Sequence, residues 1–369
     1  MVQHRAVGAL VLLLVVVFGP AADAQDLEAY RSLNLGLTTQ HVIPGYRKLV
    51  QATVELDRQA TAYCGADRVV GLEELRGRFH DAMEAWMGVQ HLRFGPVQFL
   101  LRYDRFAFWP DKRNTGGRHL SRLLAAGDES ALEPQAFARG SVAVQGFSAL
   151  ERLLYEKDAE TRFAEAGDAT TFRCLVLQAI TGNLAQMAAG TLEGWQGGEG
   201  AYRRVLETTG EDNAYYRDDK EATLDFFKAF HGSLQMIADL KLARPLGSEA
   251  AKAKSRRTES WRSGRSLDNV KANLRALEAL YVGPAGFSTV VVSNSRDAAL
   301  DAVLRDRLTA ALAAAEAIRP PLSDALSDTE ERPKVERLLA EVKALRELAT
   351  SRLAVALDLP VGFNAFDGD

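Results

Sequence analysis

Residues 146–151 read Gly-Phe-Ser-Ala-Leu-Glu and lie in a stretch of helical periodicity. Ser148 and Glu151 are three residues apart, so a helix carries both on one face. A Gly-x-His-x-x-Glu run in this place would offer an imidazole and a carboxylate to one metal or one substrate. Here a serine stands where that histidine would be. A hydroxyl hydrogen-bonds well but binds zinc or iron far less well than imidazole does. The spacing leaves open whether a metal site was lost, was changed or never existed.

Other polar groups stand on apolar helices. Trp86, Gln90 and Arg93 fall at i, i+4 and i+7, and Gly95-Pro96 ends or kinks the helix behind them. They form either an aromatic core residue beside solvated neighbours or a cleft wall with a cationic end. Phe108 and Trp109 precede Pro110-Asp111-Lys112-Arg113-Asn114, which suits a loop anchored by its aromatics with a charged turn or pocket rim. Glu259-Ser260-Trp261-Arg262-Ser263 opens a second polar stretch, and Arg262, Ser266, Asn269 and Asn273 then climb at helical steps. Such a stripe faces solvent or a polar cleft, because buried polar groups need partners. His80 and Glu84, four apart, read as a surface pair. The final residues carry two phenylalanines that would dock and hold Asn364, Asp367 and Asp369, oxygen donors suited to hard cations or simply a solvated turn.

Standard catalytic signatures are absent from the sequence. There is no His-Glu-x-x-His, Glu-x-x-His or His-x-x-Glu, no Gly-x-Ser-x-Gly around Ser148, no phosphate-cradling Gly-x-x-x-x-Gly-Lys and no dinucleotide fingerprint. A metallopeptidase would have to gather ligands from distant segments, such as His80, His91 or His119 with Glu151. No Cys-x-x-Cys-His marks covalent haem attachment.

The elements that must position these residues are helices. Leu72, Leu75, Phe79, Met83 and Trp86 repeat at three- and four-residue steps, as do Phe147, Leu150 and Leu154, with Val142 ahead of them, and Leu177, Ile180 and Leu184. In the second half, helices are expected over 224–242, 249–281, 298–318 and 334–357. Val290-Val291-Val292 is the best strand candidate. The reading is an all-α fold of two four-helix bundles packed side by side, residues 25–215 and 216–369, divided by the polar, acidic segment 209–220.

The chain has 369 residues, 47% hydrophobic and 25% charged, with a net charge of −4. That composition suits a packed globular protein, and without a basic excess it does not suggest a nucleic-acid partner. His4 and Arg5 precede an unbroken apolar run, 6–18, followed by Gly19-Pro20 and Ala22-Asp23-Ala24. This is the plan of a secretory signal over residues 1–24, cleaved before Gln25. No later apolar run is expected to cross a bilayer. An exported chain meets an oxidising compartment, so Cys64 and Cys174 are expected either to pair or to be two buried thiols, with the disulfide favoured.

Taken together, the segments 86–96, 108–114, 146–151, 261–273 and 362–369 resemble the imelysin-like family of bacterial exported proteins. The resemblance spans nearly the whole mature chain. It implies two similar helical bundles with a functional site at their interface, and a role in iron uptake in the periplasm or at the outer membrane. It also implies a motif histidine that this chain replaces with Ser148, so a metal role for that position does not carry over. The expected function is non-enzymatic binding of a ligand or an iron-uptake component in a polar cleft. The site would draw on Trp86, Gln90, Arg93, Gly146, Ser148, Glu151, Arg262, Ser263 and Asn273. No cofactor is firmly implied, and iron or another divalent metal stays open as a ligand. The alternative is a metal-dependent peptidase of the imelysin type.

Overall fold

The computed structural model describes residues 21–65, 70–294, 297–319 and 321–360. Its regular elements are all helical, with no strand among the described residues. The longer helices are α1 (Ala21–Leu37), α2 (Ile43–Cys64), α3 (Leu72–Met87), α4 (Thr115–Ala126), α5 (Phe147–Tyr155), α6 (Asp168–Gln196), α7 (Asp219–Gln235), α8 (Ser266–Val282), α9 (Phe287–Asn294), α10 (Leu300–Glu316) and α11 (Arg332–Leu348). Most of the expected signal, and the C-terminal residues Asn364, Asp367 and Asp369, lie outside the described residues. Ala21–Ala24 open α1.

In the first half, α2 packs between α3 and α6, and α5 lies against α3, α4 and α6. In the second, α10 packs on α8 and α11, while α7 touches α8 and α11. The first helix reaches across to the second group, because α1 packs on α7 and α9. Asn34 fixes that junction: its Nδ2 donates to the Asp219 carbonyl at 2.7 Å, and its Oδ1 accepts from Thr223 Oγ1 at 2.8 Å. Contact between α3 and α8 links the two groups, and the buried apolar side chains form one continuous cluster.

Two expectations about elements need correction. Val290–Val292 belong to helix α9, with Val290 and Val291 buried and Val292 exposed, so packing overrides their β propensity. The helix expected over 249–281 begins only at Ser266. Before it the chain runs through short turns, with positive φ at Gly247, Ser260 and Gly264 that α-helix geometry cannot hold. By length and composition, Ser266–Ser293 is apolar enough to cross a membrane. Within the fold, α8 instead packs on α3, α7 and α10 and carries the buried polar residues Ser266, Asn269 and Asn273.

The disulfide joins Cys64, at the end of α2, to Cys174 in α6, with Cα atoms 5.6 Å apart.

A π-helical segment at Thr38–Val42 carries His41 between α1 and α2. Its Nε2 lies 2.8 Å from Nε2 of buried His91, so one ring donates and the other accepts. Burial lowers the pKa of both rings, His41 to about 4 and His91 well below the ordinary value, the latter also through His41. A base depressed in the folded state charges first in the unfolded state, so stability falls as pH drops from the usual histidine range of about 6.5. For His41 the loss amounts to about 3 kcal/mol and is complete below about pH 4. Urea midpoints across that range should fall steeply for the natural protein and much less for a His41→Gln/His91→Gln variant. Equal slopes would show that other groups carry the acid sensitivity.

Candidate functional site

The hexapeptide opens a helix rather than lying inside one. Gly146 is the N-cap of α5, with φ −136° and ψ −161°. Its missing side chain decides the packing: a Cβ there would sit 1.9 Å from the Arg105 carbonyl oxygen and 2.3 Å from that of Phe106. Glycine lets α5 start directly against this backbone. Ser148 and Glu151 then emerge on the same face of the first turns.

That face lines a cavity of about 100 Å³. One wall comes from Met83 on α3, from the Ala107–Asp111 segment with its cis Trp109–Pro110 bond, and from α5. The opposite wall is Arg244 and the Arg256–Arg262 turn. The Glu151 carboxylate is buried and ties the walls together. Its Oε1 accepts from both the backbone N–H and the hydroxyl of Ser263, each at 2.9 Å. Burial raises the Glu151 pKa, while the Ser263 donors and nearby Arg262 pull the other way. On the same wall, Asp111 accepts from the backbone N–H groups of Thr115 and Gly116 at 2.8 and 2.9 Å and lies 3.7 Å from Arg152. Arg262 lies over the Trp261 ring at 4.3 Å, with Arg256 over the same ring at 5.5 Å. Ser148 is half-buried and makes no hydrogen bond to a described residue.

Of the residues expected in the site, Ser148, Glu151 and Arg262 line this cavity, and Ser263 holds Glu151 from behind. The others sit elsewhere. Trp86 is fully buried, stacked on Phe106 with ring centroids 4.6 Å apart, and does not line this cavity. Arg93 is exposed and lies over the Tyr103 ring at 4.6 Å. Gln90 and Asn273 are buried in a polar cluster around Lys241, a residue that gave no signal in the sequence. The π-helical segment Met236–Ala243 carries this lysine, which is 1% exposed, into the interior. Its Nζ donates to Glu259 Oε2 at 2.7 Å, Gln90 Oε1 at 2.8 Å and Asn273 Oδ1 at 2.6 Å. Asn269 Nδ2 adds a 3.0 Å bond to the same carboxylate oxygen, so the expected polar stripe on α8 faces inward. The cluster fixes Glu259, and with it the middle of the turn that forms the cavity's second wall.

His80 and Glu84 do not pair with each other. Both meet Arg265: Nη2 donates to Glu84 Oε2 at 2.6 Å, and Nη1 lies 3.3 Å from His80 Nδ1. His80 Nε2 is also 2.7 Å from the Tyr155 hydroxyl. Among the described residues, no three His, Cys, Asp or Glu side chains gather as a metal-binding group.

The turn 258–265 could have been suspected from its run of small polar and arginine residues. Its inward fold depends on Glu151, more than a hundred positions away, which no local pattern reports.

The imelysin family profile matches residues 42–352, and the chain belongs to that family. Among solved structures it is similar to an imelysin-like protein from Psychrobacter arcticum 273-4, at 20% identity and a TM-score of 0.74, covering 91% of this chain and 98% of that one. It is also similar to a putative iron-regulated protein A precursor from Parabacteroides distasonis ATCC 8503, at 15% identity and a TM-score of 0.72, covering 88% and 94%. At these identities the likeness establishes a shared fold. No curated protein sequence matches the chain.

Proposed function

We propose that this imelysin-family protein is exported, is not an enzyme, and serves iron uptake by binding a ligand or partner in the cavity between Ser148, Glu151 and Arg262. The observation that carries this reading is the lining itself. Two chain segments separated by about a hundred residues meet there, and they present guanidinium, hydroxyl and indole groups to the open space. Such groups recognise a ligand by hydrogen bonds and ion pairs. The link to iron is supported by the fold neighbour from P. distasonis, whose own description is an iron-regulated protein precursor. The same description, with the signal-like sequence over residues 1–24, supports export to the periplasm, with contact to the outer membrane as a further part of the proposal. In this reading the halves 25–215 and 216–369 act as two bundles that clasp the cavity.

Metal content and cleavage assays separate this reading from a metal-dependent peptidase. The purified protein is expected to carry substoichiometric metal and to leave peptide substrates intact with or without chelator. Stoichiometric zinc together with chelator-sensitive cleavage would overturn the proposal.

Glu151 supplies a second test. A carboxyl whose folded pKa is raised contributes stability that is full below its unfolded pKa, about 4.3, and is lost as pH rises through the folded value. Glu151→Gln keeps an acceptor for Ser263 without the buried charge. Its stability relative to the natural protein should therefore improve from about pH 4 to pH 7. Glu151→Ala leaves the Ser263 N–H unpaired and should lower stability by about 1–3 kcal/mol. Thermal melts of the three proteins at the two pH values decide this; a glutamine variant that loses ground as pH rises would show that the charged form is the one the fold prefers.

A further inference from the structure

The cavity is lined by more positive than negative groups. Arg152, Arg244, Arg256, Arg257 and Arg262 face three carboxylates, Asp111, Glu151 and Glu259, which leaves an excess of two positive charges. The carboxylates are also already engaged. Glu259 is bound by Lys241, Glu151 by Ser263, and Asp111 by two backbone N–H groups. Four of the arginines, Arg244, Arg256, Arg257 and Arg262, make no side-chain hydrogen bond or ion pair with a described residue. Like-charged neighbours crowd them: Arg257 acts on Arg244, and Arg152 and Arg256 act on Arg262, in each case behind burial as the larger influence lowering the pKa.

Trp261 orders this cluster without neutralising it. The Arg262 and Arg256 guanidinium groups both lie over its ring, an attraction that fixes their position and leaves their N–H donors open. The Ser148 hydroxyl, on the facing wall, adds a donor with no partner of its own. A guanidinium presents a planar fork of donors that matches a carboxylate or phosphate edge, so several such forks around one cavity fit an anion with more than one oxyanion edge.

Resting on the reading of this cavity as the binding site, we propose that it is an oxyanion site whose ligand is a small polycarboxylate or phosphate, gripped by Arg244, Arg256, Arg257 and Arg262 with Ser148 as an additional donor. In an iron-uptake protein, such a site takes iron through the anionic groups of a chelate and needs no protein ligand on the metal. This gives a physical reason why serine suffices at position 148: its hydroxyl donates to an anion, and no metal ligand is needed there.

Calorimetric titration of the purified protein with citrate, inorganic phosphate and ferric citrate tests the proposal, with the dication putrescine as control. The expected result is one anion per chain, weakening as sodium chloride is raised, and no binding of putrescine. Tighter citrate or ferric citrate assigns a polycarboxylate, and tighter phosphate assigns a phosphate. Arg256 and Arg257 are exposed, so an Arg256→Gln/Arg257→Gln variant should keep its melting temperature yet bind at least ~10-fold more weakly, the loss expected for charge-assisted hydrogen bonds. Arg262→Gln should weaken binding similarly, and Arg217→Gln, an exposed arginine outside the cavity, should not. Absence of binding by all three anions at millimolar concentration, or undiminished binding in the cavity variants, would overturn the oxyanion site. If the anions fail while a plugged cavity still abolishes iron uptake, the anion proposal falls and the cavity remains the binding site.

Discussion

Replacing Lys241 by methionine should lower the stability of the protein by about 3–5 kcal/mol, the usual consequence of removing one partner from a buried ion pair. The ammonium is 1% exposed and Glu259 is 4% exposed, so solvent cannot take over when either charge is removed. Methionine fills most of the lysine's volume, and the loss therefore reports the stranded Glu259 carboxylate together with the unpaired oxygens of Gln90 and Asn273. Adding Glu259→Gln to Lys241→Met should restore part of the stability, because it removes the stranded charge. Urea denaturation of the two single variants and the double variant measures this coupling. Additive losses would mean that the pair does not act as a unit. Because Glu259 lies in the middle of the Arg256–Arg262 turn, Lys241→Met should also loosen the cavity wall while leaving the helices formed.

Removing the Cys64–Cys174 disulfide is the second change with a large expected effect. The bond closes a loop with a sequence separation of 110 residues, running from the end of α2 through α3, α4 and α5 into α6. Cross-linking a loop of about 100 residues restricts the unfolded chain by an amount worth about 4.7 kcal/mol in the chain-entropy picture, and removal of native bridges typically costs 2–5 kcal/mol. The Cys64→Ser/Cys174→Ser variant should therefore unfold at clearly lower urea, with an unchanged helical signal before the transition. The loop contains Ser148 and Glu151, so the bridge also limits how far the first cavity wall can drift from α2. A stability within about 0.5 kcal/mol of the natural protein would show that packing alone holds α2 to α6.

The sequence reported helices well because their apolar spacing is local. Leu72 to Trp86 and Leu177 to Leu184 repeat at helical steps, and both stretches lie in helices. The pattern was misleading where polarity changed meaning with depth. Gln90 and Asn273 read as solvated or cleft groups, but a lysine from a π-helical segment makes them interior partners. Trp86 read as a cleft wall because its neighbours were polar, yet its ring stacks within the core. The helix expected over 249–281 does not hold for residues 249–265, where positive φ at Ser260 and Gly264 breaks the path and brings Arg262 and Ser263 toward Glu151. Of the expected site, the Ser148–Glu151 pair was legible because both residues lie on one helix. The arginine wall was not, because it depends on a tertiary contact between distant segments.

The central claim is that the cavity beside Ser148 and Glu151 is where this protein does its work. Ser148 is half-buried and points into open space, so Ser148→Trp should fill the cavity without entering the core. The most direct measurement is uptake of radiolabelled iron by iron-restricted cells of the encoding organism, with the chromosomal copy deleted and either the natural protein or Ser148→Trp supplied in its place. The account predicts that the tryptophan variant, folded and exported at normal levels, fails to restore uptake. Full restoration by that variant would contradict it.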